Sequence, residues 1–182
     1  MTLYRRSEIL TTYNVTNISI RKVAGIMQVK DFMIKDVISV GPDASIKDII
    51  KVFVEKKIGG LPINSEDGKL LGMVTDGDIL RAVKPIDDHV IDFFMYMTHI
   101  AGQDVLTRLK EMASVKCLKI ATTKGIVTVS PEDNMNKVVS LLSKHHFKKL
   151  PVIDRDNNVL GVISRGDVVR LIQAKILEEL GS

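Results

Sequence analysis

The chain has 182 residues, 45% of them hydrophobic, with a net charge of +4, which is enough apolar material for one core or for two small ones acting together. Aromatic residues make up only 4%, tryptophan is absent and acidic residues interleave with basic ones, so a nucleic-acid-binding face with a dense basic stripe is not expected. No apolar run approaches the roughly 18 to 20 residues of a membrane span, the N-terminal stretch lacks the pattern of a secretion signal, and the single cysteine, Cys117, forbids an internal disulfide framework; together these point to a cytoplasmic protein.

Residues 1–28 are β-branched in places (Val15, Thr16, Ile18, Ile20) and read as an N-terminal arm that packs on the core or on a partner. From Val37 the pattern sharpens. Val37-Ile38-Ser39-Val40 reads as a short strand, Gly41-Pro42-Asp43 breaks it, and Ile46, Ile49, Ile50, Phe53 and Val54 recur at helical spacing. Gly59 to Ile63 is a strand entered through a flexible corner, Asn64 to Lys69 a hairpin turn, Leu70 to Thr75 the paired strand, and Asp76 to Val83 a closing helix. Between Lys84 and Ser114, Val90, Phe93, Phe94, Met97 and Ile100, then Val105, Leu109 and Met112, predict two amphipathic helices around Ala101-Gly102. Their apolar faces either pack on the core or line a subunit interface.

The first order of elements then returns: strand Ile126 to Val129, break at Ser130-Pro131, helix through Met135, Val138, Val139, Leu141 and Leu142, strand Leu150 to Ile153, turn Asp154 to Asn158, strand Val159 to Ser164, and a long helix from Arg165 to Leu180. Pro42 and Pro131, Pro62 and Pro151, Gly72 and Gly161, and Asp78 and Asp167 all stand 89 residues apart. Isolated chance matches do not keep one offset through four landmarks, so the chain carries an internal duplication. The expected fold class is α/β (α+β): two tandem β-α-β-β-α units, 29–84 and 115–182, packed through their sheets and separated by a helical insertion, 85–114.

Each unit ends in the same device, a strand closed by a hydroxyl residue and a helix opened three places on by an aspartate: Thr75 with Asp78, Ser164 with Asp167. The first turn of a helix presents unpaired N–H groups and partial positive charge, which suits an anion such as phosphate. An ionised aspartate is acceptor-only, which suits a pair of sugar hydroxyls. The same spacing is also a capping box, which does nothing but start a helix.

The duplicated pattern, with its Leu61-Pro62-Ile63 and Leu150-Pro151-Val152 strands and its Gly72 to Asp78 and Gly161 to Asp167 signatures, resembles the cystathionine β-synthase (CBS) domain as a tandem pair, over roughly residues 29–84 and 115–176. The resemblance implies a compact module of two units, pairing of modules into a disc-like homodimer, and clefts that take an adenosine-containing ligand: AMP, ADP, ATP or S-adenosylmethionine. By position, one cleft takes Asp167 for the ribose, Ser164 and Arg165 for phosphate, and an adenine slot from Met33, Val37, Ile38, Ile58, Gly59, Gly60 and Pro62. The other takes Asp78, Thr75, Thr122, Ile126, Val127, Phe147, Lys148, Lys149 and Pro151. Arg165 can fork onto phosphate, whereas Asp76 beside Thr75 repels it unless Lys148 or Lys149 compensates, so the Asp167 cleft is the better nucleotide site.

No phosphate loop, nucleophile elbow or paired-cysteine metal spacing is present in the sequence, and His145-His146 diverge on a helix end. No catalytic or metal-binding residues are assigned. The expectation is a regulatory module that transmits ligand binding to a protein partner by conformational change; the alternative is a ligand-free oligomerisation or interaction scaffold whose Thr/Ser-x-x-Asp positions are only helix caps.

Overall fold

The computed structural model describes residues 27–84, 105–144 and 147–181. The N-terminal arm up to residue 26, the first inserted helix with its Phe93 to Met97 run, and His145-His146 lie outside the described residues. The elements are α1 (Val29–Phe32), α2 (Ile46–Lys56), β1 (Gly60–Asn64), β2 (Leu70–Thr75), α3 (Asp76–Val83), α4 (Val105–Met112), a 3-10 turn (Cys117–Lys119), α5 (Met135–Lys144), β3 (Lys149–Ile153), β4 (Val159–Ser164) and α6 (Arg165–Glu179).

Local chemistry accounts for the boundaries. Ser45 starts α2 through a reciprocal pair, its hydroxyl accepting from the Asp48 N–H at 3.2 Å while the Asp48 carboxylate accepts from the Ser45 N–H at 2.9 Å. The helix stops at Lys57, which turns left-handed at φ 54°. Its apolar stripe puts Ile46 and Ile49 into the interior, each no more than 1% exposed.

The two hairpins are copies in register as well as in sequence. β1 pairs antiparallel with β2 from Gly60↔Thr75 to Asn64↔Leu70, and β3 with β4 from Lys149↔Ser164 to Ile153↔Val159. The ladder slips at the same place in both, between Ile63 and Asn64 and between Val152 and Ile153. The turns of the two hairpins interlock: the Leu70 N–H donates to the Asn157 carbonyl at 3.0 Å, and the Val159 N–H to the Gly68 carbonyl at 3.2 Å. Gly68 and Asn157 occupy the repeat-related left-handed positions that these turns require, at φ 84° and 67°.

The expected strands Val37–Val40 and Ile126–Val129 reduce to single parallel bridges, Val40↔Ile63 and Val129↔Val152. Proline is the reason. Val40 donates to the Pro62 carbonyl and accepts from Asn64, and Val129 donates to the Pro151 carbonyl and accepts from Ile153; the next bond of each ladder needs an N–H that Pro62 and Pro151 do not have. α4 carries the Val105, Leu109 and Met112 pattern, but none of its residues is buried and Leu106 is 62% exposed.

The units exchange their leading segments. Val29 and Phe32 of α1 belong to the core built from Val129, Val138, Leu150, Val152 and Ile163, while Cys117 belongs to the core built from Ile49, Leu61, Ile63 and Val74. Backbone bonds fix both exchanges: the Val29 N–H donates to the Asp133 carbonyl and the Cys117 N–H to the Ala44 carbonyl, each at 2.8 Å. Two further bridges, Ile34↔Val162 and Met73↔Thr122, stitch one unit's extended segment along the outer strand of the other.

The repeat-related glycines Gly72 and Gly161 differ in what surrounds them. A methyl group on Gly161 would stand 2.6 Å from the Met33 sulfur and 3.1 Å from the Ile34 carbonyl, whereas one on Gly72 would meet nothing closer than 3.4 Å. We predict that Gly161→Ala lowers the unfolding free energy by about 1–3 kcal/mol and that Gly72→Ala changes it by less than about 1 kcal/mol. Urea titration of both variants checks this, and equal losses would show that the Met33 side chain and the Ile34 carbonyl both give way.

Candidate functional site

Two cavities lie at the strand-to-helix junctions, one at the start of α3 and one at the start of α6. The first, of about 280 Å³, is lined by Met73, Thr75, Asp76, Gly77, Asp78 and Arg81 from the first unit and by Thr122, Gly125, Ile126, Val127, Phe147, Lys148, Lys149 and Pro151 from the second. All nine residues assigned by position to the Asp78 cleft therefore face one space. Its lining combines the apolar residues Met73, Ile126, Val127, Phe147 and Pro151 with the polar opening turn of α3, a mixture that suits a ligand with an apolar body and one polar end.

The second cavity, of about 850 Å³, is lined by Ile34, Lys56, Lys57, Ile58 and Gly59, by Asp76, Lys148 and Lys149, and by Ser164, Arg165, Gly166, Asp167 and Arg170. It contains Asp167, Ser164, Arg165, Ile58 and Gly59 of the residues assigned to it. Met33, Val37, Ile38, Gly60 and Pro62 are not among its lining residues. Met33 lies over Gly161, Ile38 faces outward at 36% exposure, Gly60 pairs with Thr75, and Pro62 is fully buried opposite Met73. The apolar lining that Ile126 and Val127 give the Asp78 cleft thus has no counterpart from Val37 and Ile38, and Ile34 joins Ile58 in supplying it instead.

The two aspartates are held differently. Asp78 is 5% exposed; one carboxylate oxygen accepts from the Thr75 N–H at 2.7 Å and the Thr75 hydroxyl at 2.6 Å, and the other pairs with Arg81. Asp167 pairs with Arg170, its side chain is 35% exposed, and the Ser164 hydroxyl accepts from the Gly166 N–H at 3.2 Å rather than bonding the carboxylate. A closed capping box thus stands at α3 and an open junction at α6. The two arginines carry a signal in the sequence: Asp78-Ile79-Leu80-Arg81 and Asp167-Val168-Val169-Arg170 repeat the same i, i+3 pairing at the same offset. Lys56 and Lys57, at the end of α2, are the other cationic residues that the sequence pattern alone did not bring to the cleft.

Charge separates the clefts. Lys56, Lys57, Lys148, Lys149, Arg165 and Arg170 line the Asp167 cleft against two carboxylates, while Arg81, Lys148 and Lys149 line the Asp78 cleft, also against two. Arg165 directs one guanidinium nitrogen to the Leu142 carbonyl at 3.1 Å, anchoring α6 to the end of α5. Lys148 Nζ bridges both oxygens of Asp76 at 3.1 and 3.2 Å, which supplies the compensation that an acidic residue beside Thr75 calls for. Lys149 is half-buried, and that burial lowers its pKa against the opposing pull of Asp167 and Asp76. Burial likewise pushes the Cys117 thiol up, the behaviour of a core residue rather than a nucleophile. Among the described residues no three His, Cys, Asp or Glu side chains gather at a metal-binding spacing, and no helix is long and apolar enough to cross a membrane.

Fold and site define a duplicated module with one cleft per repeat, each cleft walled by both units. The chain belongs to the CBS domain family: the family model matches residues 29–85 and 115–174. MJ1426 of Methanocaldococcus jannaschii is 31% identical over 159 residues, 81% of this chain and 92% of that protein. In several longer relatives the chain spans between 24% and 64% of the length. Among solved structures, CBSX2 of Arabidopsis thaliana in complex with AMP is 26% identical with a TM-score of 0.61, over 81% of this chain and 96% of that one. The CBS domain pair of MJ0100 in complex with 5′-methylthioadenosine and S-adenosyl-L-methionine shares the fold at 24% identity and a TM-score of 0.62, over 82% and 98% of the two chains.

Two outcomes follow for stability. Removing the buried Asp78 leaves the half-buried Thr75 N–H without its acceptor, so Asp78→Ala should cost about 1–3 kcal/mol and Asp167→Ala less than about 1 kcal/mol; equal losses in denaturant titration would contradict the difference in burial. Because the folded state holds the Lys149 proton less tightly than the unfolded state, Lys149 opposes folding at neutral pH, and stability rises as pH climbs through its lowered folded pKa towards the free lysine value of about 10.4. Lys149→Met should therefore raise the melting temperature at pH 7, with a gain that shrinks as the pH climbs towards the free lysine value. A gain that stays constant with pH would trace to packing instead.

Proposed function

We propose that this chain is a regulatory module that binds adenosine-containing ligands in its two clefts and passes the occupancy to a protein partner, rather than an enzyme. The observation that supports this most strongly is the Asp78 cavity, where both units line one space that combines apolar side chains with a helix N-terminus. The Asp167 cleft, with six cationic side chains, is suited to the more anionic nucleotides, ADP and ATP; the Asp78 cleft is suited to AMP or to an adenosyl group of little negative charge, S-adenosylmethionine among them. AMP bound to CBSX2 supports the same ligand class. In this reading Asp167 accepts from a ribose hydroxyl after Arg170 swings aside, and the N–H groups of Gly166 and Gly77 pass to phosphate oxygens from the Ser164 hydroxyl and the Asp76 carboxylate that accept from them in this structure.

Binding across two units transmits because a ligand can bias only an arrangement it contacts differently, and here every ligand touches both. Leu80 and Val169, 89 residues apart on α3 and α6 and exposed at 67% and 45%, support a two-copy assembly through these helices. The lone buried thiol is consistent with a reducing, cytoplasmic setting.

Calorimetric titration with AMP, ADP, ATP and S-adenosylmethionine tests the reading. We expect saturable binding, and a ten- to hundredfold loss for the ligand of the Asp167 cleft in Asp167→Ala, since a hydrogen bond to a charged group contributes roughly 1.5–3 kcal/mol. No heat and no thermal stabilisation with any of the four, in folded protein, would sink this reading and leave the interaction scaffold.

A further inference from the structure

The two clefts are not independent spaces. Asp76, Lys148 and Lys149 line both of them, so one small group of charges forms the wall between the cavities. The repeat explains how. Lys148 and Lys149 stand 89 residues after Gly59 and Gly60, so at this point the second unit carries two long cations where the first carries no side chain at all. The lysines use that space: a methyl group on Gly60 would meet the Lys149 stem at 3.2 Å, and one on Gly59 would meet at 3.0 Å the carboxylate of Asp76, which Lys148 neutralises.

Charge accounting shows what the sharing does. Asp78 is neutralised by Arg81 and Asp167 by Arg170. With those pairs set aside, the Asp167 cleft keeps Lys56 and Lys57 as its own cations, beside an Arg165 engaged at the Leu142 carbonyl. The Asp78 cleft keeps none: every remaining charge on its lining belongs to the shared wall. A phosphate there must draw on Lys148 and Lys149, and once Lys148 turns away Asp76 stands uncovered at the cleft mouth.

We infer that Asp76, Lys148 and Lys149 are the specificity-determining group of the pair of clefts: a polyphosphate nucleotide in the Asp167 cleft claims the shared lysines and makes the Asp78 cleft reject phosphate while still accepting an uncharged or cationic adenosyl ligand. The inference rests on the adenosyl-binding reading above and adds its regulation. The coupling is reciprocal and falls in the ordinary range of about 5- to 150-fold.

The backbone amides of Gly77 and Gly166 report the two clefts separately by NMR on the full chain. In ATP-saturated protein we expect adenosine to shift Gly77 readily and AMP to do so about tenfold more weakly than adenosine. Asp76→Asn, which keeps an oxygen for the Gly77 N–H bond, should bring the two ligands to within about threefold. Lys56→Glu with Lys57→Glu, exposed changes confined to the Asp167 cleft, should weaken ATP at Gly166 and tighten AMP at Gly77 at the same ATP concentration. AMP binding as well as adenosine beside ATP, a penalty unchanged by Asp76→Asn, or no response at Gly77 to the double lysine change would each overturn the shared wall while leaving the function reading intact. If none of these ligands moves either glycine, the function reading falls and takes the inference with it.

Discussion

Two backbone hydrogen bonds, Val29 N–H to the Asp133 carbonyl and Cys117 N–H to the Ala44 carbonyl, hold the segment that each unit lends to the other. Without them neither core is closed, because Val29 and Cys117 are both fully buried in the core of the opposite repeat. The clefts depend on the same exchange. The extended stretch after each lent segment carries Ile34 to one cavity and Thr122, Ile126 and Val127 to the other, so the walls of each cleft are set by how the units grip one another. Hydrogen bonds of this kind, inside a dry core, are costly to leave unmade, which makes the exchange a constraint rather than a convenience.

On that frame the duplicated junction has diverged. A strand, a hydroxyl cap and an aspartate at the third helical position occur twice with the same spacing, yet Asp78 is sunk into its own cap and Asp167 stands half-open beside Arg170. The divergence at Gly59-Gly60 and Lys148-Lys149 goes further. A pair of residues that are absent as side chains in one copy and are long cations in the other turns a symmetric scaffold into two unlike clefts, at no cost to the hairpins, whose registers stay identical. The family to which the chain belongs supplies the scaffold; its own side chains supply the asymmetry.

Much of this was legible in the sequence, and the limits have identifiable causes. β2, β4 and α3 fall where glycine, the hydroxyl residue and the aspartate placed them, because turn chemistry and caps act over a few neighbouring residues. The short strands before each helix are shorter than their pattern predicts, since the missing N–H of Pro62 and Pro151 acts across the sheet and not along the chain. The exchange of leading segments left no mark on periodicity: Val29 reads the same whether it packs on its own unit or the other. For the clefts, residues drawn from both units were named for the Asp78 side and all of them meet there, whereas the Val37-Ile38 side differs because Ile34 takes the apolar position and Met33 is drawn onto Gly161. Lys56 and Lys57 carry no signal in the sequence, because nothing in a helix end says which cavity it will face.

The exchange of segments also sets an order of events during synthesis. A chain leaving the ribosome at about 5–20 residues per second displays Ile49, Leu61, Ile63 and Val74 well before Cys117 exists to cover them, and Val29 and Phe32 emerge long before the core that receives them. For those seconds the nascent first repeat is an open apolar surface. The duplication that gives the finished protein its two clefts therefore makes its birth a two-part closure, in which neither half can be completed before the start of the second has been translated.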